Sequence, residues 1–371
     1  MNSKDRVISI IKGEIPDRIG SYDSYWEETL DQWKNEGMPA HINPEEFFNH
    51  DFRLFGFEQR FGFEEKIIEE TDEYSLVFTI EGNIQYVPKD KNQFIKVVDL
   101  YGVPKDYIFK GRADWEKYKD IYKAGIERLF SQPKITDKFY HSYKTIKELK
   151  DNYRKAKGES KFIAFSVRDP FENARSRFGT EGIFLNLAED PEFVKKMFYE
   201  DAELSLEMLS IMEQEGLEFD GLWCWGDISY NKGMMFSPQM YRELLMPVHK
   251  KIFEPFKTKE MPIIYHTDGN LDKALPLLIE SGINAIQPIE AKVNDVLQIK
   301  KIFGSEITLF GGIDARTMVD KASIEREIKN KLPILKSNGK YIYHSDHSIP
   351  PDVNLENYLF TLELVKSYGD Y

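Results

Sequence analysis

The second half of the chain alternates between short apolar runs and longer helical patterns, and this alternation limits the possible folds more than any other feature. The apolar runs are short and nearly uniform in character, as expected for strands that are covered on both faces. They comprise residues 161–167 (KFIAFSV), 219–225 (FDGLWCW), 261–266 (MPIIYH), 283–288 (INAIQP), 306–310 (EITLF) and 340–344 (KYIYH). Helical patterns between and after them cover residues 191–216, 238–257, 271–281, 293–303, 323–337 and 355–367. Strands that alternate with helices predict parallel pairing through right-handed crossovers.

The first part of the chain follows this pattern less closely. Residues 17–23 predict a first barrel strand, residues 26–36 a helix and residues 48–54 an eighth strand. Three further runs, separated in one case by Glu81-Gly82, predict an antiparallel meander; they are residues 74–80, 83–87 and 94–98.

These patterns together predict an α/β protein of the (β/α)₈ TIM-barrel class with an N-terminal β-meander insertion. We expect one domain over residues 1–371, with the insertion at about residues 60–110 beside the barrel. A doubly wound open sheet is the alternative. No glycine-rich phosphate turn follows any predicted strand, so that alternative lacks its usual support.

Charge and cysteine content exclude several classes of partner and site. The formal net charge of −13 repels a phosphate backbone, so we expect no nucleic-acid partner. The single cysteine, Cys224, excludes an intramolecular disulfide and a Cys₄ zinc module. No signal-peptide segment and no apolar run of membrane-spanning length is present, so we expect a cytoplasmic protein with no membrane partner.

Polar residues gather where the predicted strands end, which is where a barrel carries its chemistry. His266 and Asp268 follow one strand, and their spacing sends both side chains to the same side of an extended segment. His347 follows the last strand, and Asp227 and Glu290 follow two others. Imidazole and carboxylate groups are ligands for divalent metals such as zinc, so these residues predict a metal site.

Each of these residues also has a purely structural interpretation. A single histidine at a strand end is often a hydrogen-bonded loop residue. Asp268 stands before Gly269, which is typical of a turn or of an N-cap for the helix that follows, and Asp227 has the same alternatives. Cys224 lies inside a predicted strand and is typical of a small buried apolar residue. The pairing of His266 with His347 at a second strand end favours the metal site.

Several longer segments resemble the uroporphyrinogen decarboxylase superfamily, in the order in which that superfamily has them. The segments are 235–250 (MFSPQMYRELLMPVHK), 266–291 (HTDGNLDKALPLLIESGINAIQPIEA), 303–314 (FGSEITLFGGID) and 339–358 (GKYIYHSDHSIPPDVNLENY). The resemblance covers residues 160–371 well and the N-terminal third loosely. It implies a (β/α)₈ barrel, and either a haem-pathway decarboxylase or a zinc enzyme that moves methyl groups to or from a corrinoid.

The decarboxylases of this superfamily hold the carboxylates of their substrate with an arginine-rich segment near the N-terminus. The corresponding stretch here resembles RIGSYDSYWEETL, in which Arg18 is the one basic residue. A porphyrinogen with many carboxylates would therefore meet an acidic mouth, which is electrostatically unfavourable.

The methyltransferases of the superfamily hold zinc with a His-x-Cys pair and a second cysteine in the final strand and loop. By resemblance their histidine falls on His266, their first cysteine on Asp268 and their second cysteine on His347. The resemblance therefore implies zinc bound by these three residues, with Glu290 as a possible fourth ligand. Replacing thiolates by harder ligands leaves the metal more Lewis-acidic, which suits a methyl ether or a methylated amine better than a thiol.

The sequence thus leads to one hypothesis for function: zinc-dependent transfer of a methyl group between a small O- or N-methyl compound and a corrinoid on a partner protein. Asp227 and Asp23 are the expected catalytic acids, and Tyr22 and Tyr265 are expected substrate contacts. Superfamily members are often dimers or monomers, so a homodimer is one expectation for the oligomeric state.

Two other hypotheses stay open at this point. A metal-free decarboxylase of a small carboxylic acid would use Asp23 or Asp227 to protonate the carbanion, with Arg168 as the carboxylate anchor. A non-catalytic binding protein on an enzyme fold is the third, although the many ionisable residues at the strand ends argue against it.

Overall fold

The computed structural model describes residues 1–56, 61, 63–89, 104–131 and 146–371. Within these residues the strands follow the chain in this order: β1 (Gly20–Ser21), β2 (Phe52–Gly56), β3 (Lys66–Glu70), β4 (Tyr74–Phe78), β5 (Asn83–Pro88), β6 (Asp106–Tyr107), β7 (Phe162–Arg168), β8 (Gly221–Trp225), β9 (Ser229–Tyr230), β10 (Gly233–Met234), β11 (Ile263–His266), β12 (Ala285–Ile289), β13 (Thr308–Gly311) and β14 (Tyr341–Tyr343).

The α-helices of the described residues are α1 (Ser3–Lys12), α2 (Glu27–Asn35), α3 (Pro44–Phe47), α4 (Arg112–Ser131), α5 (Ile146–Gly158), α6 (Pro170–Glu189), α7 (Pro191–Gln214), α8 (Pro238–Met240), α9 (Met246–Thr258), α10 (Ala274–Ser281), α11 (Val296–Phe303), α12 (Lys321–Leu335) and α13 (Leu355–Gly369). A π-helical turn, Tyr241–Leu245, joins α8 to α9, and a 3₁₀ turn, Ala315–Val319, precedes α12.

The chain divides into two compact units. The first unit comprises Met1–Gly56, Lys150–Val167 and Gly216–Tyr371, and the second comprises Phe57–Leu149 and Arg168–Glu215. No helix of the described residues is long and apolar enough to cross a membrane.

The eight-stranded sheet has the order β1-β14-β13-β12-β11-β8-β7-β2, and every pairing in it is parallel. From β2 onward, each strand of this sheet therefore pairs with the next strand of the same sheet along the chain, and the last strand, β14, pairs with β1. The first and last strands of this order also meet, because the backbone N–H of Asp51 donates to the carbonyl of Ser21 at 2.9 Å. This arrangement confirms the α/β class and the (β/α)₈ barrel.

The interior of the barrel is filled by alternate residues of its strands. Apolar side chains from all around the sheet form one buried cluster, with Phe52, Phe162, Ile264 and Phe310 all less than 1% exposed. Side chains alternate between the two faces of a strand, so residues two positions further along the same strands point into the barrel nearer its C-terminal mouth. His266 stands in this relation to Ile264.

The first helix, α1, closes the N-terminal side of the barrel core. Its N-cap is Asn2, whose side chain accepts a hydrogen bond from the N–H of Asp5, and its C-cap is Gly13, with φ of 82°. Val7 and Ile10, one turn apart on the same helix face, are fully buried in the barrel cluster.

The observed boundaries differ from the predicted ones mainly near the N-terminus. The predicted strand at residues 17–23 is a two-residue strand, β1, and the predicted eighth strand at residues 48–54 is displaced to Phe52–Gly56. The predicted run at residues 94–98 lies outside the described residues. Helix α6 was not predicted, although Asp169 caps it by accepting from the N–H of Phe171 and Pro170 occupies its first turn.

The second unit contains the antiparallel sheet, with the order β3-β4-β5-β6. Its interior includes a buried ion pair, in which Nη1 of Arg177 lies 2.8 Å from Oδ2 of Asp201. The Arg177 guanidinium also lies over the rings of Phe61 and Trp115, at 5.5 and 5.1 Å from their centroids. The aromatic contacts and the carboxylate together compensate a charge that would otherwise be costly to bury.

Candidate metal centre

Three ionisable side chains converge at the C-terminal ends of two neighbouring barrel strands. Asp227 follows β8, while His266 ends β11 and Asp268 follows it; β8 and β11 pair in parallel with Trp225 opposite His266. One ligand atom from each of the three side chains lies within 4.8 Å of the other two. We call Asp227, His266 and Asp268 the donor group. All three are half-buried, which leaves them accessible from the barrel mouth.

The backbone fixes the relative positions of the two carboxylates. The N–H of Asp268 donates to Oδ1 of Asp227 at 2.9 Å, and the same oxygen lies 3.9 Å from Nε2 of His266. The N–H of Ile228 donates to Oγ1 of Thr267 at 3.1 Å and ties the two strand-end loops together. The donor group is therefore held by main-chain contacts as well as by its side chains.

The two oxygens of Asp268 have different surroundings. Its Oδ2 lies 3.5 Å from Nε2 of His347, while its Oδ1 is buried and accepts no hydrogen bond from the residues that the structure describes. Burial raises the pKa of Asp268, but the hydrogen bond to His347 and the charge of His266 outweigh this effect, so the pKa lies below its ordinary value. The carboxylate is therefore charged, and one of its oxygens is available to a ligand.

The structure does not use Asp268 as a helix cap, which was the structural alternative. Helix α10 begins at Ala274 and its N-cap position is Lys273. The turn after Asp268 depends instead on Gly269, which has φ of 93° and a Cβ position that would lie 2.6 Å from the backbone nitrogen of Tyr230. A larger residue would not fit there.

His347 and Glu290 lie beside the donor group and are not part of it. The hydrogen bond to Asp268 raises the pKa of His347 to about 9, so its imidazole is charged at neutral pH. Oε1 of Glu290 accepts from the N–H of Gly269 at 2.7 Å, and burial raises the pKa of this carboxyl, helped by the charges of Asp268 and Asp227. The sequence predicted His347 and Glu290 as ligands and Asp227 as an acid, whereas the geometry groups Asp227 with His266 and Asp268.

Gln287 contacts the donor group and was missed by the sequence reasoning. It lies on β12 directly opposite His266, it is 3% exposed, and its Oε1 lies 2.5 Å from Nδ1 of His266. Its Nε2 lies 3.0 Å from Nε2 of His344 on the far side. Gln287 is one of two polar residues, with Asn284, in the otherwise apolar run INAIQP, and this was the signal that could have identified it.

Asp23 lies behind His344 and away from the donor group. It is fully buried and accepts hydrogen bonds from the backbone N–H and the hydroxyl of Ser345 and from the hydroxyl of Tyr358, the last at 2.9 Å. Its Oδ1 is 3.6 Å from Nδ1 of His344. Burial raises the pKa of Asp23. The contacts of this carboxyl are with other protein groups; the sequence predicted it to be a catalytic acid, and that role stays a prediction.

The three predicted substrate contacts occupy different places. Tyr22 lies in the barrel cluster, 5% exposed, with its ring centroid 5.6 Å from that of His344. Tyr265 lies on the opposite face of β11 from His266, fully buried, with its ring 5.2 Å from that of His249 on α9. Arg168 belongs to the second unit, where Nη2 lies 3.6 Å from Oε1 of Glu172.

The fold and this site define a (β/α)₈ barrel with a candidate metal centre at the C-terminal rim of its strands. The profile of the uroporphyrinogen decarboxylase (URO-D) family matches residues 114–368, which is more than half of the chain. The chain therefore belongs to the uroporphyrinogen decarboxylase family, which confirms the resemblance found in the sequence.

Two individual proteins are similar to this chain, one in sequence and one in fold. A uroporphyrinogen decarboxylase from Trichlorobacter lovleyi is 27% identical over 134 residues, and this match spans 36% of the present chain and 38% of the relative. The solved structure of a methyltransferase from Methanosarcina mazei has a TM-score of 0.59 and 14% sequence identity, and the match covers 99% of each chain. At that identity, the second likeness describes the fold.

Proposed function

We propose that this protein is a zinc-dependent methyltransferase. It would move a methyl group between a small methylated oxygen or nitrogen compound, such as a methyl ether, and a corrinoid on a partner protein. The observation that carries the proposal is the donor group, in which one ligand atom from each of Asp227, His266 and Asp268 lies within 4.8 Å of the other two at the barrel mouth. Family membership is consistent with the proposal, and the fold alone does not choose this function.

The residues present fit a zinc ion by the chemistry of their donor atoms. Zinc takes imidazole nitrogen and carboxylate oxygen in tetrahedral sites, and three protein ligands with one open position are typical of catalytic zinc. Asp268 and His266 would hold the ion, and Asp227 would complete the protein ligands. His347 and Glu290 stand next to this set. A buried carboxylate oxygen without a hydrogen bond is costly unless a ligand compensates it.

Zinc bound by this set would act as a Lewis acid on the heteroatom of the substrate, because oxygen and nitrogen ligands leave it more electrophilic than thiolates do. Transfer would break the bond between the methyl group and the heteroatom and form a bond between the methyl group and the corrinoid, so the departing oxygen or nitrogen would need a proton. In this proposal Glu290, whose pKa is raised by burial, delivers that proton at the barrel mouth. Asp23 is 1% exposed and lies 3.6 Å from His344, so in this proposal its role is to support that histidine.

An activity assay tests the proposal. The purified protein is mixed with a reduced corrinoid protein and a panel of methoxylated aromatic compounds and methylated amines, and methylation of the corrinoid is followed by its visible spectrum. We expect transfer from at least one compound, its loss after treatment with a chelator, and its return with added zinc. His266→Ala should abolish transfer, while His41→Ala, at an exposed histidine outside the donor group, should not. Transfer that is indifferent to the chelator would refute the zinc mechanism.

The curated relative favours one alternative function, since it is a uroporphyrinogen decarboxylase. A metal-free decarboxylase would need an acid to protonate the carbanion and a cation to anchor the carboxylate. Asp227 is accessible for the first role, while Arg168 already faces Glu172. Release of CO₂ from a small carboxylic acid that persists in the presence of a chelator would support this function over methyl transfer.

A further inference from the structure

A row of three side chains crosses the barrel from the donor group to its far wall. His266 ends β11, Gln287 lies opposite it on β12, and His344 follows β14. The amide of Gln287 touches a ring nitrogen of each histidine, with Oε1 at 2.5 Å from Nδ1 of His266 and Nε2 at 3.0 Å from Nε2 of His344. Gln287 and His344 are 3% and 0% exposed. Water therefore does not compete for these contacts.

His344, at the end of this row away from the donor group, determines which ring nitrogens of the two histidines carry a hydrogen. Nδ1 of His344 faces the carbonyl of Ser345, with which it forms a hydrogen bond, and Oδ1 of Asp23 at 3.6 Å. A carbonyl only accepts, so Nδ1 of His344 must carry the hydrogen. Burial lowers the pKa of His344, which favours the neutral ring. Its Nε2 then has a lone pair and accepts from the amide N–H of Gln287.

The orientation of the Gln287 amide in turn determines which ring nitrogen of His266 carries the hydrogen. With its N–H₂ directed at His344, Gln287 presents its carbonyl oxygen to Nδ1 of His266, so that nitrogen must donate. In the neutral ring the lone pair of His266 is then on Nε2, the atom that faces Asp227 at 3.9 Å. With the amide turned the other way, its carbonyl oxygen would face the lone pair on Nε2 of His344, so that two hydrogen-bond acceptors would meet.

We propose that Gln287 is a positioning residue that holds His266 in the Nδ1–H form, so that Nε2 of His266 keeps its lone pair toward Asp227 and Asp268. Gln287 does not touch a substrate; it acts through His266, and His344 acts through Gln287. The consequence for zinc rests on the proposed function: an unprotonated, correctly oriented Nε2 binds the ion without first losing a proton.

Nitrogen NMR tests the proposal without any metal. The chain has seven histidines, so protein labelled with ¹⁵N in the imidazole rings gives a small set of signals. His266 is assigned by the loss of its signal in His266→Gln. We expect the wild-type ring of His266 to carry its hydrogen on Nδ1 in neutral form. Gln287→Leu should shift the hydrogen toward Nε2, whereas Gln287→Glu, which keeps an acceptor oxygen, should retain the Nδ1–H form.

Zinc affinity, measured by competition with a chromophoric chelator, supplies a second readout. We expect Gln287→Leu to weaken zinc binding by about 10–100-fold and Gln287→Glu to restore most of it. Gln298→Leu, at an exposed glutamine on α11, is the matched control and should leave both readouts unchanged. Circular dichroism verifies that each variant is folded.

Two results would overturn the proposal. One is a wild-type His266 ring that carries its hydrogen on Nε2, which needs no variant to observe. The other is a folded Gln287→Leu protein with an unchanged His266 tautomer. If the wild-type protein shows the Nδ1–H form but binds no zinc, the positioning role of Gln287 stands and the proposed zinc function fails.

Discussion

Oδ2 of Asp268 lies 3.5 Å from Nε2 of His347, while the second oxygen of the same carboxylate is buried without a hydrogen bond from any residue in the described part of the chain. A buried acceptor without a hydrogen bond lowers the free energy of unfolding by about 1–3 kcal/mol. A carboxylate with a purely structural role would therefore be expected to accept hydrogen bonds at both oxygens. The arrangement is instead typical of a functional site, where stability is given up for a free ligand position.

The first prediction concerns Asp268 in the metal-free protein. Asp268→Asn removes the charge partner of His347, but the His347 side chain is 46% exposed and water can solvate its charge. The raised pKa of His347 implies that the pair stabilises the fold at neutral pH, and exposure weakens this effect, so we expect the free energy of unfolding to fall by about 1–2 kcal/mol in the presence of a chelator. Urea denaturation of the chelated wild type and variant measures this difference. A loss of several kcal/mol would show that Asp268 is primarily structural.

The second prediction concerns the seam where β1 meets β2. Asp51 is fully buried and accepts from Arg6 and Arg18, each at 2.9 Å, and from the N–H of Ser21 at 2.8 Å. Asp51→Asn leaves the buried Arg6 charge poorly compensated, so we expect a loss of about 3–5 kcal/mol in the free energy of unfolding.

Asp17→Asn is the matched control for this prediction. Asp17 pairs with the same Arg6 at 2.8 Å, but its side chain is 43% exposed. We expect that variant to lose no more than about 1 kcal/mol, because exposed ion pairs contribute little. Urea denaturation measures the free energy of unfolding of both variants. Equal losses would mean that burial of the ion pair between Asp51 and Arg6 does not determine its contribution to stability.

The third prediction is a pH dependence that originates at Lys300. Its Nζ donates to the carbonyl of Gly339 at 2.7 Å, it is 7% exposed, and burial lowers its pKa to about 8 from an ordinary value of 10.5. Between these two values the unfolded chain binds more protons than the folded one. The penalty for burying the charged amine is therefore complete below pH 8 and disappears as the pH rises toward 10.5.

Comparison with Lys300→Met isolates this effect. We expect the stability of the wild type relative to Lys300→Met to increase by about 1–3 kcal/mol from neutral pH to pH 10.5. Lys301→Met, at the exposed neighbouring lysine, should show no such trend. A stability difference between wild type and Lys300→Met that is flat across this range would contradict the assigned pKa.

Much of the barrel was predictable from the sequence because its strands are covered on both faces and appear as continuous apolar runs. The run at residues 261–266 contains β11, Ile263–His266, and the run at residues 283–288 overlaps β12. The strand β1 has only two residues, Gly20–Ser21, and too short a pattern to define its limits. Its place is set by pairing with β14, a partner more than 300 residues away in the chain.

The site was predictable only where a residue's role follows from its position along one strand. His266 and Asp268 stand at a strand end and were predicted as ligands. Asp227 joins them because β8 and β11 are neighbours with Trp225 opposite His266, and Gln287 reaches His266 because β11 and β12 are in register. Such contacts between strands depend on pairing and register, which a single sequence does not specify.

Measurement of the zinc content tests the central claim most directly. Purified protein is incubated with zinc, dialysed and analysed by atomic emission, together with His266→Ala, Asp268→Asn and the control His41→Ala. We predict one zinc ion per chain in the wild type and the control, and little or none in the two donor-group variants. A wild-type protein that retains no zinc, or a His266→Ala protein that retains as much as the wild type, would contradict the account.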